Sequence, residues 1–483
     1  MKKKTGCLTL ALLTFLIIAP LPADSNQNTP YQAVPGLMDL RSTFSDGSHT
    51  IEDLVLLARS RGFKVLFIND HNRITLSYGV PPYRRIMRYK KEYPSIMTHG
   101  SDKFLAEIER VSKKYPDTII IPGTITSAFY YWSGSWFKKN LTAHEYDRRI
   151  LITNLNRAKD YNQIPSVGNK LSFNYTRQLL PGMVIFIFPL VVGVLMLRWR
   201  GTSRLIGLLI TVLSILALID YNPFRSSLFS PYHGDSGVRP FQEVIDYVND
   251  HCGLAFWNYP EQQSGIRKHG PIRVNTPPYP QVLHQTENYT GFAAIYGDRI
   301  TITEPGREWD RVLNEYCRGV RARPAWGIST ADFHSDGRLG LKLGVFPTTF
   351  LVKAFSKGGV LEALKKGRMY SSRGDGTLWQ KLDYFNVLGG TTKKAFMGET
   401  LVTSHFPLIK FRVSHKTKKK APFTMALIRG GKLLETFRSE APMEVEYMDK
   451  GITPGEMTYY RLMDTRKHLT SNPIFIKYRP HSP

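Results

Sequence analysis

Two places in the sequence set imidazole and carboxylate side chains at the ends of apolar runs. Phe63-Lys64-Val65-Leu66-Phe67-Ile68 reads as a short buried strand and is followed by Asn69-Asp70-His71. Trp326-Gly327-Ile328 is followed in turn by Ala331-Asp332-Phe333-His334. Imidazole nitrogen and carboxylate oxygen hold hard-to-borderline divalent cations, which activate water and neutralise the charge of an anionic substrate. Other chemistries lack their parts. No Gly-x-Ser-x-Gly turn or activated cysteine supplies a nucleophile. Gly374-Asp375-Gly376 lacks the Lys-Ser/Thr pair of a phosphate loop, and no Cys-x-x-Cys spacing points to structural zinc.

The elements that must position these residues follow a regular grammar. Thr50 caps a helix that Asp53 closes from its third position, Ile51, Leu54, Val55 and Ala58 keep helical spacing, and Gly62 ends it. A second helix, Asp102 to Lys114, leads into the strand Thr118 to Ile121, stopped by Pro122-Gly123, and Ile150-Leu151-Ile152 reads as another strand. Helices near Phe241 to Asn249 and Glu308 to Arg318 lead into strands Gly253 to Trp257 and Trp326 to Ile328. Strand-helix alternation with polar residues at strand C-termini predicts an α/β barrel whose site gathers at that end. After Leu378 the texture changes to short alternating runs such as Leu408 to Val413 and Met457 to Leu462, which predict a β-sandwich over 378–483. His415 to Lys420 reads as a solvated hairpin tip.

Length and charge set the surroundings. A chain of 483 residues has room for about two to four domains. A net charge of +26 predicts attraction to polyanions. The aromatic-rich signatures of nucleic-acid binding are missing, which leaves anionic lipid, acidic polysaccharide, phosphorylated small molecules or a merely solvated basic surface, and charge alone does not separate them. Lys2-Lys3-Lys4 ahead of the apolar run Leu8 to Ala19 predicts a signal peptide or anchor over 1–23. Pro181 to Leu197 and Leu205 to Ile219 are nearly uncharged and are joined by a loop carrying Arg198, Arg200 and Arg204. They predict a transmembrane hairpin over 181–220 with its loop on the cytoplasmic side. That hairpin interrupts one barrel, of halves 24–180 and 221–377, and puts barrel and sandwich outside the cytoplasm. Cys252 and Cys317 could form one disulfide or remain two thiols.

The stretch Asp39 to His71 resembles the PHP (polymerase and histidinol phosphatase) superfamily, metal-dependent phosphoesterases on a distorted α/β barrel. That family opens with His-x-His, continues through Ser-Asp-Gly and ends a strand in Thr-Asp-His; here Ser45-Asp46-Gly47 and Asn69-Asp70-His71 match. Ile121-Pro122-Gly123, Ala255 to Glu261 and Ala331 to His334 fall in family order, so the resemblance runs from about Gly36 to Arg373. It implies hydrolysis of a phosphate ester and groups Asp46, His71 and His334 at one metal position, with Asp332 at another.

The departures bear on that chemistry. Asp39 and Arg41 occupy the His-x-His places, Ile125 stands where the bridging glutamate follows Pro-Gly, and Arg149 and Tyr259 replace histidines. The retained residues predict at most one ion (zinc, manganese or iron) at Asp46, His71 and His334, with Asp39 and Asp332 as a weak second position. His144 is a substitute ligand or a surface residue. Arg41 and Arg149 either bind a phosphorylated or other anionic ligand in a bidentate manner or pair with Asp39 or Asp332 in a dead pocket. Two functions follow: a membrane-tethered hydrolase with a degenerate site, or a pseudoenzyme that binds an anionic ligand or an unidentified protein partner.

Overall fold

The structure, a computed structural model, describes residues 30–169, 171–270, 272–298, 300–337, 342–375, 379–415 and 422–480. The expected leader and the lysine-rich tip 416–420 lie outside the described residues.

The first turns of chain form as their sequence dictates. Thr50 and Asp53 make the reciprocal capping box of the helix Ile51–Ser60, which buries Ile51, Leu54, Val55 and Ala58. The strand Val65–Ile68 is buried throughout and lies parallel to both Gln32–Leu40 and Ile119–Thr126. Pro122-Gly123 does not stop the latter strand, which runs on to Thr126.

Beyond it the parallel alternation breaks, which corrects the simple barrel expectation. Arg149–Thr153 runs antiparallel to Ile119–Thr126, and Leu254–Asn258 antiparallel to Arg149–Thr153. The connection 127–148 folds as the short antiparallel pair Tyr131–Ser133 and Thr142–His144 instead of a crossover helix. Without a crossover, the chain re-enters the sheet at the end it has just left and runs back antiparallel. Gly291–Ile295 and Trp326–Ser329 then restore parallel pairing, while Pro347–Val352 closes on Gln32–Leu40 antiparallel. The result is a mixed, curled sheet: Phe333, just past the Trp326–Ser329 edge, bridges back to Leu40. That curl sets Asp332 and His334 beside Asp39 and Arg41.

The strands after 378 form two layers around a second apolar core that includes Phe385, Phe411, Leu427 and Ile476. One layer is a separate four-stranded sheet containing Gln380–Gly389 and Leu408–His415. The other continues the large sheet, because Leu469–Ser471 pairs with Met369–Ser372. The junction is locked by polar groups. Arg461, fully buried, donates to both carboxylate oxygens of Asp310 at 2.7 and 2.6 Å. Asn472 bonds both the backbone N–H and the carbonyl of Gly327, which steadies the strand leading to Asp332 and His334.

Two helical segments, Thr176–Met196 and Thr202–Tyr221, are long and apolar enough to cross a membrane by length and composition. They pack closely where Gly193 and Gly207 face each other: a Cβ on Gly207 would fall 2.8 Å from the Gly193 carbonyl oxygen. Their outer faces, with Ile185, Phe188, Leu205 and Leu209, are exposed. Cys317 is a free thiol, so it forms no disulfide with Cys252.

Candidate functional site

The site begins with a break in the first strand. Its register against Val65–Ile68 shifts between Leu37 and Leu40, and Asp39 takes a positive φ of 66°. This turns the Asp39 side chain inward, where Asn258 Nδ2 donates to Oδ2 at 2.9 Å and Asn69 Oδ1 accepts the Asp39 N–H at 3.1 Å. Arg41 lies beside it and is only 1% exposed. Its guanidinium donates to the Asp39 carboxylate, to the Asn69 carbonyl at 2.6 Å and to Asp332 Oδ1 at 3.2 Å. Its Nε sits 4.0 Å from Asp46 Oδ1. Burial opposes the Arg41 charge, but Asp39, Asp332 and Asp46 outweigh it and raise the pKa further. Burial likewise raises the pKa of Asp39, although the Arg41 charge favours its ionised form.

Asp70 is structural. It accepts from Ser42 N at 2.8 Å, Ser42 Oγ at 2.6 Å and Ser45 Oγ at 2.5 Å, which folds the turn that presents Asp46. Gly47 is required there, because a Cβ would collide with the Arg41 carbonyl. Asp46 then reaches two imidazoles: its Oδ2 lies 3.1 Å from His334 Nε2 and 3.6 Å from His71 Nε2. Burial opposes ionisation of Asp46, but the hydrogen bonds from His334 and His71 hold its pKa well below the carboxylate range.

The two histidines differ in their outer nitrogens. His334 Nδ1 lies 2.6 Å from the Asp332 carbonyl, which only accepts, so that nitrogen carries a proton. Burial lowers the His334 pKa, yet the Asp46 hydrogen bond and Asp332 leave it raised overall. His71 Nδ1 lies 3.5 Å from Arg149 Nη1, and a guanidinium only donates. A neutral His71 therefore carries its proton on Nε2, facing Asp46. Burial, aided by Arg41 and Arg149 and opposed by Asp46, lowers the His71 pKa to about 4.

The curl thus brings Asp39, Arg41, Asp46, His71, Asp332 and His334 together. Ile125 is joined to His71 by a parallel backbone bridge. Arg149 stands on the other side of His71, paired with Asp147 at 3.1 Å. His144 belongs to a separate small sheet, where its ring bonds Ser133 and stacks on Tyr131. Tyr259 is buried, with a φ of 50° and its ring 5.3 Å from Tyr296. Both tyrosines line a cleft of about 310 Å³ over the cluster, whose polar wall is Asp46, Asp298, Asp332 and His334.

The residues present do not fit a two-metal centre. Arg41 already puts a cation between Asp39 and Asp332. At the other position, His334 has the outward N–H bond and inward Nε2 of a metal ligand. His71 does not, since its inward nitrogen holds the proton. Among the described residues, no group of three or more His, Cys, Asp or Glu side chains is arranged to hold a metal ion. Sequence reasoning passed over Asn69, Asn258 and Asp298. The first two stand at strand ends next to singled-out residues, a signal that was available; Asp298 has none.

No protein-family model matches the sequence. No curated protein matches it. Among solved structures the chain is similar to a two-domain protein containing a predicted PHP-like metal-dependent phosphoesterase from Bacteroides vulgatus, at 10% identity and a TM-score of 0.34, covering 89% of this chain and 91% of that one. It is also similar to a protein assigned as a metal-dependent phosphoesterase from Bifidobacterium adolescentis, at 14% identity and a TM-score of 0.27, over 62% and 87% of the two chains. A third similarity is to an amidohydrolase from Chromobacterium violaceum with bound sulfate and no metal, at 12% identity and a TM-score of 0.28, over 63% and 88%. At these identities and scores the likenesses lend no activity to this chain.

Proposed function

We propose that this protein is a membrane-anchored, phosphoesterase-like barrel that binds without hydrolysing, its metal centre replaced by an internal ion cluster. The observation that carries the reading is the position of Arg41, buried and bonded to Asp39 and Asp332. A guanidinium supplies fixed positive charge but no open coordination position, so it cannot activate water as a metal does. The motif order Ser45-Asp46-Gly47, Asn69-Asp70-His71 and Asp332-Phe333-His334 supports descent from a phosphoesterase scaffold. The two apolar helices support a membrane hairpin, with the barrel on the side away from the arginine loop. An anion does not reach Arg41 past the acidic wall of the cleft; Arg149, 13% exposed and outside that wall, is the better anion contact, though an anion there shares it with Asp147.

The test uses the full chain purified in detergent, loaded with zinc or manganese and freed of excess. Metal well below one ion per chain and no turnover of bis(p-nitrophenyl) phosphate above buffer are expected. One ion per chain, with turnover lost in His334→Ala, overturns the reading. It would support a second one, a single-metal hydrolase at Asp46, His71 and His334, which the ligand-like setting of His334 favours.

A further inference from the structure

Away from the cluster, the described surface holds a cavity of about 830 Å³ whose wall carries Arg73, Arg84, Arg85, Arg88, Lys90 and Arg225. Arg73 and Lys90 share one carboxylate, Glu92, at 2.7 and 2.5 Å, which leaves one of their two charges uncompensated. The other four have no carboxylate within ion-pair distance among the described residues. Arg84 stacks on Tyr232, 4.1 Å from the ring centre. Arg85 reaches only the Asn222 carbonyl, at 3.3 Å. Arg225 lies over the Tyr221 ring, and its buried Nε has no partner. The acidic group on the wall, Asp220, is occupied by the Arg85 backbone N–H at 2.5 Å. Burial first, then Arg225 and Arg88, push the Arg85 pKa down to about 10 against the pull of Asp220. Unpaired guanidinium groups gathered in a cavity are costly without a counter-charge.

The location says which counter-charge. The cavity is walled on one side by the end of the second apolar helix, Ile219 to Asn222, and on the other by the hairpin Ile74–Gly79 and Arg88–Tyr93. The tip of that hairpin leans on the helix: Tyr83 Oη donates to the Leu213 carbonyl at 3.3 Å. Leu213 lies two turns inside the helix end, a drop of about 12 Å at the helical rise. The tip exposes Val80, Ile86 and Met87 beside that helix. Tyr89 and Trp136, both exposed, pair at 6.3 Å, next to a fully displayed Phe137 at 92% exposure. Exposed apolar side chains and aromatic rings thus stand beside the arginines, the combination of groups found where a chain meets the bilayer interface.

We infer that this cavity binds the phosphate headgroup of an anionic membrane phospholipid, beneath which the hairpin tip dips into the acyl layer. The inference rests on membrane insertion of the two apolar helices and is independent of the metal question. Arg73 also lines a smaller cavity with Arg149, so the cationic surface continues toward His71.

The test reconstitutes the full chain into nanodiscs of phosphatidylcholine alone or mixed with phosphatidylglycerol, and reads the lipid retained by native mass spectrometry. A roughly tenfold preference for phosphatidylglycerol is expected. It should vanish in the double variant Arg85→Gln/Arg225→Gln and fall in Arg88→Gln, while Lys103→Gln keeps it. An unchanged melting temperature in pure phosphatidylcholine certifies that each variant folds. Equal retention of the two lipids, or a preference surviving the double variant, overturns the inference. Full displacement of the lipid by millimolar inorganic phosphate also overturns it, assigning the cavity to free phosphate. A chain that stays soluble without detergent and enters no nanodisc removes the membrane premise itself, an outcome separate from loss of selectivity.

Discussion

Arg41 Nη2 donates to Asp332 Oδ1 at 3.2 Å across 291 residues of sequence. This pair joins the first strand to the segment past the Trp326–Ser329 edge of the curled sheet, with Arg41 buried and Asp332 half exposed at the cleft. Removing the guanidinium leaves Asp39 charged, buried and short of its partner. Loss of one member of a buried ion pair costs about 3–5 kcal/mol. Arg41→Ala is therefore expected to lower the melting temperature sharply, and Arg41→Met combined with Asp39→Asn to recover most of the loss. Equal stability of wild type and Arg41→Ala in thermal unfolding would show that the cluster does not hold the sheet.

The pH response of the cluster has a sign for each histidine. His71 has a folded pKa of about 4 against an ordinary 6.5, so the unfolded chain takes up its proton first on acidification. Its contribution to stability is complete above 6.5 and is lost as pH falls toward 4. His334 shifts the other way, from 6.5 upward, so its contribution is complete below 6.5 and is lost as pH rises through the folded value. Melting temperature followed against pH should show both limbs. His71→Gln should flatten the acidic limb alone, and His334→Gln the limb above 6.5 alone. A single variant that flattens both limbs would contradict the assignment.

Much of this arrangement was readable where the causes are local. The Thr50–Asp53 box spans only four neighbouring residues, and the helix behind it follows from the spacing of Ile51, Leu54, Val55 and Ala58. The placement of Asp70-His71 at a strand end follows from one apolar run. Burial of Arg41 was not readable, because it depends on Asp332 arriving from a distant edge through the Leu40–Phe333 bridge. The antiparallel entry of Arg149–Thr153 was hidden for a similar reason: residues 127–148 look like any loop until Thr142–His144 pairs with Ile272–Asn275. The structural role of Asp70 was not readable either, since its three donors, Ser42 N, Ser42 Oγ and Ser45 Oγ, come from a turn more than twenty residues away.

Arg149 controls what His71 can ligate. While its guanidinium faces Nδ1 at 3.5 Å, the inward Nε2 keeps the proton. In Arg149→Gln the amide oxygen can accept from Nδ1–H, which turns the lone pair of Nε2 toward Asp46 and His334. Outer partners of metal-binding histidines change affinity by about 10–100-fold. Zinc affinity, measured by competition with a chromogenic chelator, is expected to rise by about tenfold or more in Arg149→Gln over wild type. The further change His334→Ala should abolish the gain. No gain in Arg149→Gln would mean that the tautomer is not what limits the site.

The last expectation concerns which side of the membrane holds the barrel. The helical segments Thr176–Met196 and Thr202–Tyr221 are each of spanning length, and Arg198, Arg200 and Arg204 crowd the short link between them. Arginines near the ends of apolar spans are retained on the cytoplasmic side. The opposite ends of the helices meet the hairpin tip at Tyr83 and the arginine-lined cavity, so those groups face the outer leaflet if the link is inside. A reporter active only in the cytoplasm should work when inserted at Gly201 and fail at Ser172 and Asn288. Activity at Ser172 and Asn288 with none at Gly201 would invert the protein and move the lipid cavity to the inner leaflet. Activity at all three would leave no crossing at all, and the two apolar helices would then have to be covered by protein instead of lipid.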